Sequence, residues 1–162
     1  MEFSFKNKSD NGVISSCVMG DFIHRKNVIS KTYVLPEAQI QSGMIDFMYS
    51  VDRVGATPAA LPFFIMEIMK NEWVKIKFYM PVEQDFLQMP NNMHFDSYFS
   101  VDDMAAVCVS KEPEKNISEA YVKIFDFLKS NSLRAITPVF HVLGGDKEKT
   151  YTILKVGYQK IN

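Results

Sequence analysis

The chain has 162 residues, with 18 Lys and Arg against 19 Asp and Glu, a formal net charge of −1, and 47% hydrophobic residues. This length suits one domain of ordinary size or two small repeats that share a core, and the composition excludes a disordered, collagen-like or disulfide-scaffold protein. Basic and acidic residues are divided evenly between the two halves of the chain. No basic field for phosphates is evident, so nucleic acid is not expected as a direct partner.

Large, soft side chains are unusually frequent, with 13 Phe, 7 Tyr, 1 Trp and 10 Met. A core of this size could absorb them. Alternatively, they could line a hydrophobic cleft, because Met adapts its shape and flat rings stack on ligands.

The two cysteines, Cys17 and Cys108, lie in no metal-binding spacing, and the three histidines are too far apart to form a ligand pair. We therefore expect neither a metal nor a cofactor. No apolar run typical of a signal sequence precedes Cys17, and the apolar stretch 59–66 is too short to span a bilayer. These features predict a cytoplasmic protein without a membrane partner.

The first half of the chain begins with weak periodicity, so residues 1–21 are predicted to form an N-terminal arm. Residues 27–34 are β-branched and aromatic, which is typical of a strand. Pro36 is then predicted to open a helix that ends near Arg53, because proline suits the first helical turn. The helix is indicated by one apolar stripe, formed by Ile40, Met44, Phe47, Met48 and Val51.

Strand patterns follow at 62–69 and 73–80, separated by a short polar turn that predicts a hairpin. Residues 83–92 form a linker near the middle of the chain. The second half is predicted to contain strands at 95–101 and 104–109, a helix at 116–131, and a hairpin of strands at 139–143 and 151–158.

The two halves resemble each other. Ile45-Asp46-Phe47-Met48-Tyr49-Ser50 is similar to Phe125-Asp126-Phe127-Leu128-Lys129-Ser130. Each segment precedes a strand led by proline, Pro62-Phe63-Phe64-Ile65 and Pro138-Val139-Phe140-His141. This matching order predicts an α+β fold made of a duplicated βαββ repeat, with antiparallel sheets and one helix per repeat. Repeat one would span 22–85 and repeat two 93–160, with a cleft between them in a single domain of residues 22–160.

The duplicated order, the helix followed by a proline-led strand, and a strand ending in Met80-Pro81-Val82 resemble the GyrI-like effector-binding domains. The resemblance covers roughly residues 22–160. These domains accompany many bacterial drug-responsive transcription regulators and also occur alone, and the chain looks like one of the small stand-alone bacterial members. The resemblance implies a small-molecule cleft between the repeats, lined by aromatic residues and often suited to bulky hydrophobic cations.

One motif departs from the family. The second repeat of the family often carries Gly-Pro-x-x-Glu, with the Glu in the cleft, whereas this chain has Thr137-Pro138-Val139-Phe140-His141. His141 therefore takes the position of the Glu. Residues 1–20 are also too short for a preceding DNA-binding helix-turn-helix, so a complete transcription regulator is not expected.

His141 shares a strand face with Val139 and Leu143. It could be a histidine of the core or cleft edge held by one hydrogen bond, a ligand contact, or a catalytic base. No serine or cysteine nucleophile is evident beside it in the sequence.

Glu67 is a carboxylate on an otherwise apolar strand face, together with Phe63, Ile65 and Met69. Such a carboxylate must be paired, protonated or near solvent. It could serve as the counter-ion of a cationic ligand, or it could pair with a lysine near the strand end, Lys70 or Lys75.

Trp73 and Tyr79 share a strand face with Lys75 and Lys77, while their alternating neighbours form a better helix-facing core. The two rings could therefore line the cleft, where they would stack on flat or cationic ligands. The alternative is a mixed, solvated sheet face. Tyr151 is the weaker counterpart in the second repeat.

Together these patterns predict non-catalytic binding of a small hydrophobic molecule, with cationic and aromatic ligands as candidates. A protein–protein interaction factor of the accessory or immunity type, using the same cleft or a sheet edge, is the first alternative, and a hydrolase is the second. A homodimer or a protein partner stays open. The predicted ligand-binding residues are Phe63, Ile65, Glu67, Trp73, Tyr79, His141 and Tyr151.

Overall fold

The structure, a computed structural model, describes residues 13–146 and 148–162. Of the predicted arm at 1–21, residues 1–12 lie outside the described residues. The described chain has an α+β fold whose strands pair antiparallel. Its elements are β1 (Val18–Pro36), a short 3-10 turn (Glu37–Gln39), α1 (Ile40–Arg53), β2 (Phe63–Ile68), β3 (Trp73–Pro81), β4 (His94–Val109), α2 (Pro113–Ser130), β5 (Leu133–Ala135), β6 (Phe140–Gly145) and β7 (Thr150–Lys160).

The chain divides into two compact units, which we call the α1 unit (His24–Ser100) and the α2 unit (residues up to Ile23 together with Val101–Asn162). In the α1 unit, β3 pairs with both β1 and β2. In the α2 unit, β7 pairs with both β4 and β6, and its end pairs with β5. Both units therefore contain the same order of strand, helix, strand and strand, which confirms the predicted duplicated βαββ fold.

Several details differ from the sequence prediction. The first strand begins at Val18, inside the predicted arm, and Pro36 ends this strand instead of opening the helix, which begins at Ile40 after a short 3-10 turn. The strands predicted at 95–101 and 104–109 form one continuous strand, β4, because Asp103 adopts a left-handed conformation (φ 52°) without ending the strand. Aspartate tolerates this region better than most residues, so the polar pair Asp102-Asp103 resembles a turn in sequence but is only a local irregularity. The three-residue strand β5 was not predicted, since so short a segment has no visible periodicity.

The core of the α1 unit lies between α1 and one face of its sheet. Phe47 and Val51 of α1 are 0% and 1% exposed, and they pack in one cluster with Ile76 and Phe78 of β3. Full burial of one such side chain contributes roughly 1.5–3 kcal/mol. The rest of the predicted apolar stripe is less covered, since Ile40 and Met44 are half-buried against this cluster and Met48 is 40% exposed.

Strand alternation assigns the remaining residues of this sheet to the side opposite α1, which we call the α1-distal face. Its members follow from the printed strand pairings. They are Ser30, Thr32 and Val34 of β1, Phe63, Ile65 and Glu67 of β2, and Trp73, Lys75, Lys77 and Tyr79 of β3.

The α2 unit has an equivalent core, in which α2 covers one face of the sheet formed by β4, β6 and β7. Ala120, Ile124 and Leu128 of the helix are at most 2% exposed. They form one cluster with strand residues that include Val107, Leu154 and Val156.

A polar network joins α1 to β1. The hydroxyl of Tyr33 donates to Asp46 Oδ2 at 2.6 Å, and Lys31 Nζ donates to the same oxygen at 3.2 Å and to Ser50 Oγ at 3.1 Å. The Tyr33 hydrogen bond and then Lys31 lower the pKa of the Asp46 carboxyl. The charge of Asp46 therefore fixes the helix to the strand.

We expect Asp46→Asn to lower the free energy of unfolding by about 1 kcal/mol at neutral pH, because the half-exposed carboxylate loses a charge-assisted hydrogen bond that solvent partly screens. A carboxyl pKa lowered by folding stabilises the fold above the unfolded value near pH 4, and this contribution is lost as the pH falls through the folded pKa. Denaturant unfolding between about pH 4 and 2 should therefore show a steeper loss for the wild type than for Asp46→Asn. Asp52→Asn, an exposed change on the same helix, is the control. Equal slopes for the wild type and Asp46→Asn would contradict the assignment.

Candidate functional site

Three aromatic rings cluster at one end of the α1-distal face. Phe63 stacks on Tyr79 with ring centroids 4.7 Å apart and planes inclined by 4°. Phe99 of β4 lies at 5.3 Å from Phe63 and 5.0 Å from Tyr79, tilted against both. We call these three residues the ring cluster. Its offset and tilted arrangement is the one that aromatic quadrupoles favour.

A cation already lies against this cluster. Lys77 Nζ is 5.1 Å from the centroid of the Tyr79 ring, within the range of a cation–π contact. Burial, with a smaller contribution from the negative charge of Asp96, raises the pKa of Tyr79 to about 12. At neutral pH the phenol is therefore neutral, and its ring face attracts positive charge.

The predicted residues of the α1 unit fall into two groups along the same face. Phe63 and Tyr79 are 1% and 5% exposed, with Ile65 as the next residue on this face of β2. Trp73, which is 43% exposed, lies six residues from Tyr79 along β3, or about 20 Å at the rise of a strand. A single small ligand cannot contact both, so the ring cluster and the region around Trp73 are separate places.

Glu67 lies on the same face in the second group, with Trp73, and we call these two residues the outer group. It lies opposite Lys75 in the pairing of β2 with β3, and both residues are exposed. The arrangement is compatible with the pairing to Lys75 considered from the sequence. The role of Glu67 as a counter-ion stays a prediction.

Two residues of the candidate site were not predicted from the sequence: Phe99, a member of the ring cluster, and Ser30, beside it. Phe99 was included in a predicted strand but not in the site, because only the tertiary fold brings β4 to the cluster. Ser30 lies opposite Tyr79 in the pairing of β1 with β3 and is 1% exposed. Its alternation with Val28 and Thr32 on one strand face was the signal that could have drawn attention to it.

In the α2 unit, His141 lies on the side of the sheet that packs against α2. Its Nε2 atom shares a hydrogen bond of 2.6 Å with the hydroxyl of Tyr121 on α2, and His141 is 5% exposed. Burial lowers the pKa of His141 to about 4 and raises that of Tyr121 to about 12. Both groups are therefore neutral at pH 7, and the hydrogen bond links β6 to the helix.

Tyr151 lies on the other side of the same sheet. Its ring covers Gly144, where an added Cβ would lie only 2.2 Å from the Tyr151 ring, so the glycine is required for this close approach. Tyr151 is 37% exposed. The structure thus does not bring Tyr151 and His141 together, and their predicted roles in ligand binding stay predictions.

The strand pairings also align the two repeats. Asn27 in β1 and Asp103 in β4 both have positive φ. Each stands three residues before the first member of a row of residues that lie opposite one another across three paired strands. The row Ser30, Tyr79 and Phe63 in the α1 unit corresponds to Ala106, Lys155 and Phe140 in the α2 unit. His141 is therefore the counterpart of Phe64, which packs towards α1, whereas alignment on the two prolines would have matched it with Ile65.

The α2 counterpart of the ring cluster contains an ion pair instead. Lys155 Nζ lies 3.1 Å from Asp21 Oδ2 and also donates to the carbonyl oxygen of Phe22 at 2.9 Å. The Lys155 and Asp21 side chains are only 12% and 6% exposed. The two repeats thus share a backbone pattern but carry different chemistry at the same position.

Among residues 13–146 and 148–162, no group of His, Cys, Asp and Glu side chains is arranged to hold a metal ion. Within the same residues, no helix has both the length and the apolar character needed to cross a membrane.

Comparisons with solved structures identify the class of fold. The structure matches the EcmrR C-terminal domain with a TM-score of 0.71 and 15% sequence identity, covering 90% of this chain and 98% of that one. It matches EcmrR in an EcmrR–DNA complex with a TM-score of 0.70 and 17% identity, covering 92% of this chain and 59% of that one. The chain therefore shares the fold of the EcmrR C-terminal domain, which agrees with the resemblance to the GyrI-like domains noted in the sequence.

The family follows from the sequence. The family model described as "Domain of unknown function (DUF5085)" matches residues 24–160, and the chain belongs to this family. No curated protein matches the chain. A hydrolase from Listeria innocua also shares the fold, with a TM-score of 0.57, 11% identity and coverage of 89% of this chain and 92% of that one. Because one fold hosts different activities, function must be argued from the site.

We expect the buried state of His141 to make stability depend on pH. Because folding lowers its pKa from about 6.5 to about 4, the unfolded chain binds a proton in this range that the folded chain does not. The free energy of unfolding should thus fall on acidification from pH 6.5 to 4, by on the order of 3 kcal/mol at most.

The measurement is denaturant unfolding at several pH values for the wild type and for His141→Phe, which introduces the residue type of its counterpart Phe64. The variant should lose this dependence. His94→Gln, a change of an exposed histidine, should keep it. A slope that persists in His141→Phe would show that another group titrates.

Proposed function

We propose that this protein binds a small, flat, aromatic molecule at the ring cluster of the α1 unit, without converting it chemically. The observation that carries the proposal is the Lys77 ammonium group 5.1 Å above the ring of Tyr79, beside Phe63 and Phe99. An internal cation seated on an aromatic cluster indicates that this surface is suited to positively charged partners. The preferred ligand is therefore a hydrophobic aromatic cation.

The charges around the cluster agree with such a ligand. Asp96 is close enough to raise the pKa of Tyr79 through its negative charge, so it would also attract a cation. Lys77 would compete for the same ring, because two cations cannot occupy one ring face. Stacking of aromatic rings adds about 0.5–1.5 kcal/mol beyond the burial of their area.

A serine beside a lysine can act as a nucleophile with its base, but the polar network of α1 does not favour this role. Ser50 lies beside Lys31, but it is 6% exposed and its hydroxyl donates to the carbonyl oxygen of Asp46 at 2.9 Å. The hydrogen bond from Lys31 to Ser50 links β1 to the helix, and the Ser50 hydroxyl is not accessible to solvent. The GyrI-like fold, shared with the domain of a DNA-bound protein, is compatible with a binding module.

The test uses two ligands of nearly equal shape, the cation N-methylquinolinium and the neutral 1-methylnaphthalene. Lys77→Met should tighten binding of the cation by about two- to fivefold, because it removes a competing cation–π contact worth about 0.5–1 kcal/mol. Lys75→Met is the matched control. It removes a lysine charge from the same face of β3, but Lys75 lies two residues further from Tyr79 than Lys77 does. Affinities come from titrations followed by NMR.

The same spectra locate the ligand. Backbone amide signals of Phe63, Tyr79 and Phe99 should shift on titration, whereas the indole N–H of Trp73 should not, and this is the single Trp signal of the chain. Equal tightening in both lysine variants would contradict the competition, and shifts centred on Trp73 would move the site to the outer group. If neither compound binds, the interaction-protein interpretation takes precedence.

A further inference from the structure

Ser30 is a buried hydroxyl beside the ring cluster. It lies on β1, directly opposite Tyr79 on the α1-distal face, and is 1% exposed. Among the residues that the structure describes, its Oγ atom has no hydrogen-bond partner. A buried hydroxyl without a partner has lost its hydrogen bonds to water and gained none in the fold, so such a group in a folded protein calls for an explanation.

The second repeat shows that the fold does not require this hydroxyl. The residue that corresponds to Ser30 is Ala106, which lies opposite Lys155 and is 0% exposed. Alanine would fill the same position in the α1 unit without burying an unsatisfied polar atom. The hydroxyl occurs in the repeat that carries the ring cluster, whereas the repeat with the ion pair of Lys155 and Asp21 lacks it.

We propose that the Ser30 hydroxyl is the polar contact that selects the ligand of the ring cluster, an inference that rests on the binding function proposed above. The ligand is then an aromatic molecule with a hydrogen-bonding group at its edge, such as a hydroxyl, an amine or a ring nitrogen. Its ring packs against the stacked pair of Phe63 and Tyr79, where Phe99 now lies, while its polar edge reaches Ser30. Apolar pockets with a few convergent polar groups select ligands in this way.

Phe99 provides the route of entry. Ser30, Phe63 and Tyr79 are each at most 5% exposed, whereas Phe99 is half-buried. Its tilted contacts with both other rings can be replaced by those of a ligand ring without a loss of aromatic packing. The ligand therefore enters by displacing the Phe99 ring, and the covered hydroxyl of Ser30 then gains a partner.

The test is a thermodynamic cycle in which the Ser30 hydroxyl, the ligand hydroxyl, or both are removed. The probes are 1-naphthol and 1-methylnaphthalene, which differ by a hydroxyl in place of a methyl group, and their affinities are measured by NMR titration. In Ser30→Ala, the ratio of the naphthol Kd to the methylnaphthalene Kd should rise about tenfold over that of the wild type. Thr32→Ala, which removes an exposed hydroxyl from the next position on the same face, should leave this ratio unchanged.

The possible outcomes separate the two proposals. If both compounds bind but the ratio changes less than twofold in Ser30→Ala, the role of Ser30 is overturned while binding at the ring cluster stands. If neither compound binds to the wild type, the role of Ser30 is overturned, while binding of an aromatic cation is decided separately by the N-methylquinolinium titration.

A second measurement needs no ligand. Because the Ser30 hydroxyl lacks a partner, Ser30→Ala should leave the Tm of the free protein unchanged or raise it. A fall of several degrees would show that the hydroxyl is satisfied within the fold, and would overturn its assignment to a ligand.

Discussion

The strict alternation of side chains along β-strands determines what each part of this protein can do. Within residues 13–146 and 148–162, each unit has one α-helix, which covers one face of its sheet and takes the apolar residues of that face into the core. Every second residue is thereby assigned to the other face, where packing against the helix places no demand on its chemistry. In the α1 unit this freedom allows a row of a hydroxyl and two rings, formed by Ser30, Tyr79 and Phe63. A shift of one residue in the pairing of one of these strands would turn that strand's member of the row towards the helix.

The sequence was sufficient for features that depend on local periodicity. The stripe of α1 and the alternation of β3 follow from spacing alone, and the βαββ order could be compared between the two halves. The site was less accessible, because it depends on which residues lie opposite one another. Ser30 and Phe99 join Tyr79 only through pairing and packing between distant segments. His141 illustrates the limit most clearly: the proline-led alignment differs from the structural one by a single residue, and that difference places it against Tyr121 on the helix side.

The two repeats have kept their backbone pattern while the chemistry of their equivalent rows has diverged. Where the α1 unit has a hydroxyl, a phenol and a phenyl ring, the α2 unit has Ala106, Lys155 and Phe140. Lys155 is held by Asp21 in a buried ion pair, whose desolvation cost offsets much of its attraction. Such a pair is better suited to fixing a conformation than to adding stability. The equivalent positions thus hold a cluster of aromatic rings in one repeat and a buried ion pair in the other.

The division of the chain between the units has a consequence for the order in which they form. The α1 unit is a continuous segment, His24–Ser100, so all of its strands and its helix are available once residue 100 has left the ribosome. The α2 unit combines residues up to Ile23 with Val101–Asn162, and its ion pair joins Asp21 to Lys155 across most of the chain. Closing so long a loop is entropically costly and slow. During synthesis Asp21 therefore has no Lys155 to pair with until β7 has been made, whereas all residues of the unit that carries the ring cluster are present earlier.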